Sequence, residues 1–448
     1  MYSLDSRGWR KPALQLQALM ILTIMIGGGG GAYGAFNLVV QLASLLILAV
    51  NSKVLVAFLV RQPFGFVTLI CSTLALPLIQ LVPLPPSIWT ALPGRDLLYQ
   101  SLELIGHSSE WFPISLAPSR TLTAFLSLIP AATIIVLASS LNERDWGNVL
   151  RTIVFASAAI SVLGGIQLLT SNKHFLIFSE RVSSSFFYTT FANHNTSGLY
   201  FVLALIVVLA LDLGFGQGLR SVALQRSMRI GALVIFVISV ILSQSRSSMG
   251  VLLLVVSVGL ALYAKRSKLA QRHVFSVIAV GIVLSVGTLY VLQENSRLGG
   301  SFGRFESLEG PRPAVWSDTI SSIQRFWPVG SGISSFPEVF EVDETLEHVW
   351  EFHAGRAHND YLEIAQEAGI AGIMLTVAWG TWCVCVGLRA RNGKYWQRAI
   401  FAIAALATIA IQSIVDYPLR NQTILCFVGL FIGMLASKDK SEKVKLID

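Results

Sequence analysis

A chain of 448 residues that is 54% hydrophobic and only 13% charged, with a mean hydropathy of +0.65, is a polytopic membrane protein and not a soluble enzyme held by one anchor. Its net charge of +8 comes without any Lys/Arg-rich run interleaved with aromatics, so nucleic acid is not an expected partner. The basic residues fall mostly in short segments between apolar runs, as positive-inside signals do.

The N-terminal stretch RGWRKPALQLQALMILTIMIGGGGGAYGA imitates a signal peptide, with a basic flank, an apolar core and small residues after it. A second apolar run, FNLVVQLASLLILAV, follows at once, which favours a retained first transmembrane helix. A spanning helix needs about 20 mostly apolar residues. On that measure the chain reads as about twelve spans, at 14–31, 33–50, 64–82, 120–140, 149–169, 195–213, 229–243, 247–264, 273–292, 361–387, 397–415 and 421–436. The domains then divide as helices 1–9 over 1–292, a hydrophilic loop over 293–357, and helices 10–12 with a tail over 358–448.

With the N-terminus in the cytoplasm, about two thirds of the 33 Lys and Arg residues fall on the inner side, and Lys173 is the only lysine outside. Both termini are therefore expected in the cytoplasm. The long loop between helices 9 and 10 would face the outer side of the membrane, leaving a set of outer arginines without a topological role. Within that loop, Trp316 to Phe326 has helical spacing and Pro328-Val329-Gly330-Ser331-Gly332 reads as a turn. Cys71, Cys383, Cys385 and Cys426 all lie in apolar runs and make no CxxC pair, which reads as packing.

The stretch Arg356 to Gly369, RAHNDYLEIAQEAG, crowds polar residues at the mouth of an apolar helix. Asp360 followed by Glu363 fits a capping box, and Asn359 is an alternative cap. Neither explains His358, and a histidine at a membrane surface is a usable general base or hydrogen-bond donor. Asp416 and Arg420, in VDYPLRN at another outer helix end, are spaced to pair with each other or to join a site. His348, His353 and His358 recur every five residues, a spacing that does not bring zinc ligands onto one helix face. No Asp or Glu occurs between Asp5 and Asp96, so an early outer acidic pair for a metal is missing and no cofactor is expected.

His358-Asn359-x-x-Leu362 with Gly369 seven residues further on resembles the histidine signature of the O-antigen ligase family, which also takes in O-antigen and exopolysaccharide polymerases and some protein O-glycosyltransferases. Phe191-Ala192-Asn193-His194-Asn195, the turn Ser243-Gln244-Ser245-Arg246-Ser247, and Arg312-x-x-x-Trp316 followed by Pro328 to Gly332 resemble further parts of that pattern. The resemblance covers roughly residues 190 to 430. It implies an all-α, GT-C-like fold in the bacterial inner membrane with its site facing the periplasm. The donor would be a glycan on undecaprenyl diphosphate, and the acceptor a lipid A-core sugar or another glycan. Transfer would be inverting and metal-independent, with membrane lipids as further partners.

In that reading Arg246 and Arg312 would hold the leaving diphosphate, since guanidinium stays charged and grips phosphate oxygens with paired hydrogen bonds. Arg356 would be a third ligand, and Arg304 shares the loop with Arg312. His358 would take the acceptor's proton or hold the acceptor in place. Asn193 and Asn195 would bind substrate or cap the span that follows, and Asp416 and Arg420 would join the site or pair together. A transporter for the same lipid-linked substrates would show two similar halves and charges deep in spans, and neither is read here. A non-catalytic scaffold would leave His358 and the outer arginines without a role.

Overall fold

The computed structural model describes residues 11–30, 34–178, 185–212, 222–253, 255–256, 312–349, 354–390 and 396–437. These are overwhelmingly helical. In chain order come α1 (Pro12–Ile26), α2 (Gly34–Val50), α3 (Ser52–Arg61) and α4 (Phe64–Gln80). A small segment between spans follows, in which β1 (Pro83–Leu84) pairs antiparallel with β2 (Phe112–Pro113) around the short helices α5 (Pro86–Trp89) and α6 (Asp96–Leu104). The bundle resumes with α7 (Pro118–Ala138), α8 (Glu143–Leu169), α9 (His194–Asp212) and α10 (Val222–Leu242). Residues 246–253 are helical again. After them come α11 (Arg312–Phe326), α12 (Phe336–Asp343), α13 (Asp360–Ala390), α14 (Trp396–Gln412) and α15 (Gln422–Ala436).

Helix starts follow local chemistry. Asn142, Asn359 and Asn421 turn their side-chain oxygens onto the free N–H groups of α8, α13 and α15, while Pro12 and Pro118 open α1 and α7 where a missing N–H costs nothing. Among the described residues five helices (α7, α8, α9, α10 and α13) are long and apolar enough to cross a membrane, by length and composition. α2 and α3 pass the same test together but bend by 78° at Asn51, so the segment after the second expected span leaves as a separate helix and not as a loop. The shorter apolar helices α1, α4, α14 and α15 occupy four more of the twelve expected places. The expected span at 247–264 lies partly outside the described residues and that at 273–292 wholly so.

α9 is the hub. Leu199 to Val208 are buried on every side, and the Tyr200 hydroxyl meets Ser157 of α8 at 2.6 Å. α15 lies close along α7 because Gly429 and Gly433 present no side chain: a Cβ on Gly429 would stand 2.6 Å from the Ala131 carbonyl oxygen, one on Gly433 2.5 Å from the Ala138 methyl. Small residues four apart let helices touch backbone to backbone where hydrocarbon offers no hydrophobic drive. The periphery has the opposite character. Ile373, Met374, Val377, Val384 and Leu388 of α13 are exposed, an apolar surface that suits lipid and not water.

Candidate functional site

Five separate segments meet at one end of the bundle. The carbonyl of Gly28, just past α1, accepts from Ala192 N and from Asn421 Nδ2, both at 3.0 Å. A Cβ on Gly28 would fall 2.0 Å from the Thr190 carbonyl oxygen, so the glycine run is where the chain entering α9 presses against α1. Asn193 stands before α9, with Oδ1 accepting from Asn195 N at 2.8 Å and Nδ2 donating to the Tyr417 hydroxyl at 3.0 Å. Tyr417 in turn sets its ring edge-on to His358, centroids 4.9 Å apart. His358 Nδ1 is 3.4 Å from Asp416 Oδ1; the histidine is about one third exposed and the aspartate buried.

His358 occupies the left-handed region with φ 53°, unusual for a side-chain-bearing residue, just before α13 begins. Asn359 is the cap, accepting from Tyr361 N at 3.0 Å and Leu362 N at 3.2 Å. The capping box expected from Asp360 and Glu363 is not formed. Both acids turn inward with Glu367, because positions 360, 363 and 367 share one helix face. They converge on Arg420, whose Nη2 reaches Glu367 at 2.7 Å and whose Nε lies 3.2 Å from Glu363 and 3.7 Å from Asp360. Burial works against the Arg420 charge, but Glu367, Glu363 and Asp360 outweigh it and raise its pKa above the usual arginine value. Asp360 also accepts from Ser413 Oγ at 2.9 Å and Leu419 N at 3.1 Å, so the segment between α14 and α15 is stapled to α13.

The pairing of Asp416 with Arg420 is therefore overturned: Asp416 faces His358 and Arg420 belongs to the α13 acids. Four-residue spacing makes neighbours only on a continuous helix, and here Pro418 opens a single 3-10 turn, Pro418–Arg420, after a non-helical Tyr417.

The loop after α11 explains the other end of the motif. α13 breaks at Gly369 (φ 53°, ψ −142°), and the carbonyls of Gln366 and Glu367 accept from Ser331 N at 3.0 Å and Gly332 N at 2.8 Å. Ile370 N, which the break also frees, donates to Pro328 O at 2.9 Å. Backbone groups released by the kink are thus satisfied by the turn at 328–332. A Cβ on Gly369 would lie 2.0 Å from the Pro328 carbonyl oxygen, so only glycine fits.

The segment 83–117 clamps this turn from behind. Gln80 donates to Glu367 O at 3.0 Å and accepts from Ile333 N at 2.9 Å, and Leu116 N reaches Ser331 O at 2.8 Å. Arg95 is buried to 1% exposure, hydrogen-bonded to the carbonyls of Ile114 and Gly330 and laid over the Phe326 ring at 5.4 Å. Burial first, and Arg325 second, lower its pKa to about 10.

The remaining expected residues are placed as follows. Arg246 is exposed and opens the helix at 246; its neighbour Ser247 accepts from Gln412 Nε2 at 2.7 Å, and Ser413 beside Gln412 carries Asp360. Arg312 is half-buried at the start of α11, one turn before Trp316, whose indole donates to Ala357 O at 2.8 Å. Both arginines therefore sit on elements tied to the His358 turn. Arg356 is already engaged, 3.3 Å from Glu363. Asn195 lends its backbone N–H to Asn193. Arg304 and His353 lie outside the described residues. Sequence reasoning did not single out Tyr417, Gln80 or Arg95. Tyr417 lay between two residues that were chosen, and the other two carried no signal beyond standing near span ends.

Residues 231–377 match a family model described as O-antigen ligase, and no curated protein matches the chain by sequence. The match is narrower than the stretch from 190 to 430 over which the motifs resemble the family, yet it holds the Arg246 turn, α11, the 328–332 turn and the histidine motif through Gly369. Residues 231–377, about a third of the chain, are thus similar to the O-antigen ligase family, in a protein whose described residues include helices long and apolar enough to cross a membrane.

Proposed function

We propose that the protein transfers a glycan from undecaprenyl diphosphate to an acceptor hydroxyl at the periplasmic face, as in ligation to lipid A-core. The observation that carries this reading is His358 held at the open end of the bundle, with Asp416 behind Nδ1 and the ring edge-on to Tyr417. With Nδ1 turned to Asp416, Nε2 remains to take the proton of the acceptor hydroxyl. The acceptor oxygen bonds to the anomeric carbon, the carbon–oxygen bond to the diphosphate breaks with inversion, and the electron pair leaves on the diphosphate. Arg246 and Arg312 stabilise that developing charge. Arginine in this role needs no metal ion, and the three acids of α13, Asp360, Glu363 and Glu367, are engaged with Arg420, Glu363 with Arg356 as well.

The test is transfer of a labelled glycan from undecaprenyl diphosphate by the purified protein with EDTA throughout, offering lipid A-core and a second lipid-linked repeat as separate acceptors. His358→Ala lowers the rate by about 10²–10⁴-fold, the usual worth of a general base, and Arg246→Ala lowers it as well. The acceptor that is used distinguishes a ligase from a polymerase. Full activity in well-folded variants would sink the site, and activity lost in EDTA but restored by a divalent cation would sink the metal-free mechanism.

A further inference from the structure

At the opposite end of the bundle a cavity of about 390 Å³ opens where α1 and α8 begin side by side. It lies one full helix, about 20 Å, from the Gly28 contact with Asn421. Its walls are Lys11, Ala13, Leu14 and Gln17 from α1 and Asn142, Arg144, Asp145 and Asn148 from α8 and its cap.

The polar groups here are sorted by sign. Asn142 Oδ1 accepts from Asp145 N at 3.0 Å, Asn148 Oδ1 from Arg151 Nη2 at 2.8 Å, and Gln17 Oε1 from Thr152 Oγ1 at 3.0 Å. All three amide oxygens therefore face protein donors, which leaves three NH₂ groups as donors for whatever enters. Neither Lys11 nor Arg144 has an ion pair among the described residues. Asp145 is the one carboxylate in the lining, against two cations. A cavity walled by two unpaired cations and three amide donors selects an anion rich in acceptor oxygens, and phosphate is the anion with that shape.

We infer that this cavity binds the phosphate headgroup of an anionic phospholipid in the cytoplasmic leaflet. Three features favour a lipid over free phosphate. The cavity opens at the first turns of two apolar helices, α1 and α8. Its apolar wall includes Leu14, 41% exposed on α1, where an acyl chain would run. The sequence leading into Lys11 is Arg7-Gly8-Trp9-Arg10, a basic, Trp-bearing juxtamembrane segment of the kind drawn to anionic headgroups.

The experiment measures binding of fluorescent phosphatidylglycerol and phosphatidylcholine to the full-length protein in neutral detergent, with inorganic phosphate as a separate competitor. Wild type is compared with Lys11→Gln/Arg144→Gln and with Gln17→Glu, which exchanges a donor for an acceptor at constant shape. Unchanged unfolding midpoints show that the variants fold, since Lys11 and Arg144 are exposed and a glutamate at position 17 still accepts from Thr152 Oγ1. Wild type prefers phosphatidylglycerol, and either variant loses that preference by about tenfold, the worth of one or two charge-assisted hydrogen bonds. Equal binding of the two lipids, or a preference that survives in both variants, overturns the site. Inorganic phosphate binding as tightly as phosphatidylglycerol overturns the lipid assignment.

Discussion

Arg420 Nη2 donates to Glu367 Oε2 across 2.7 Å, and with the Asp360 contacts to Ser413 and Leu419 it fastens the segment between α14 and α15 to the first turns of α13. His358 sits before that helix and Asp416 on that segment, so their approach depends on it. Breaking a buried ion pair on one side strands the remaining charges, at a cost of about 3–5 kcal/mol. Arg420→Ala is therefore expected to lower the thermal unfolding midpoint sharply and abolish transfer. Glu367→Gln, which still accepts a hydrogen bond and leaves Arg420 its other two acids, has the smaller effect on both.

Asn193 and Tyr417 act as a pair. Tyr417→Phe keeps the ring against His358 and removes only the hydroxyl, and Asn193→Ala removes its partner together with the acceptor for Asn195 N, a loss that the cycle cancels because it is common to both Asn193 variants. A double-mutant cycle on transfer rate should show coupling of about 0.5–1.5 kcal/mol, the net worth of one hydrogen bond; additive effects would mean the two act separately. Burial, reinforced by Asp416, pushes the Tyr417 hydroxyl up to about 12 from an ordinary 10.0. The folded state thus holds this proton more tightly than the unfolded chain, so its contribution is intact below about pH 10 and is lost as pH rises to about 12. The stability advantage of wild type over Tyr417→Phe should shrink across that window, followed by thermal unfolding at stepped pH.

Gly369→Ala tests the kink. The substitution places a methyl group against the Pro328 carbonyl and strains a left-handed residue, costing about 1–3 kcal/mol for the backbone and a similar amount for the clash. Its effect on transfer should exceed its effect on stability, because the helix that starts at His358 is re-aimed. Equal activity at matched temperature would show that the break does not orient the histidine.

Arg95 holds the segment 83–117 onto the 328–332 turn without a carboxylate partner among the described residues. Arg95→Ala strands the carbonyls of Ile114 and Gly330, costing about 1–3 kcal/mol each where buried. Faster hydrogen exchange should appear over 83–117 and 328–332 together, while α9 and α15 keep their protection. Exchange raised in only one of the two segments would mean that Arg95 does not join them.

Much of this protein is written locally. Apolar runs, the helix cap at Asn359, the helix over Trp316 to Phe326 and the histidine motif follow from neighbours in the chain. Runs of bilayer length and side-chain caps are short-range properties, so a linear reading reaches them. The partners of the charged groups are not local. Asp416 and Arg420 sit four apart, but Pro418 ends the regular geometry that would make them meet, and acids some fifty positions earlier receive Arg420 instead. Gly369 is legible as the end of a motif, whereas its necessity comes from the Pro328 carbonyl that only folding brings against it. Arg95 and Gln80 carry no sequence signal because their work is done on backbone carbonyls and amides, which every residue possesses. The tertiary structure alone decides which of those groups come within hydrogen-bond reach.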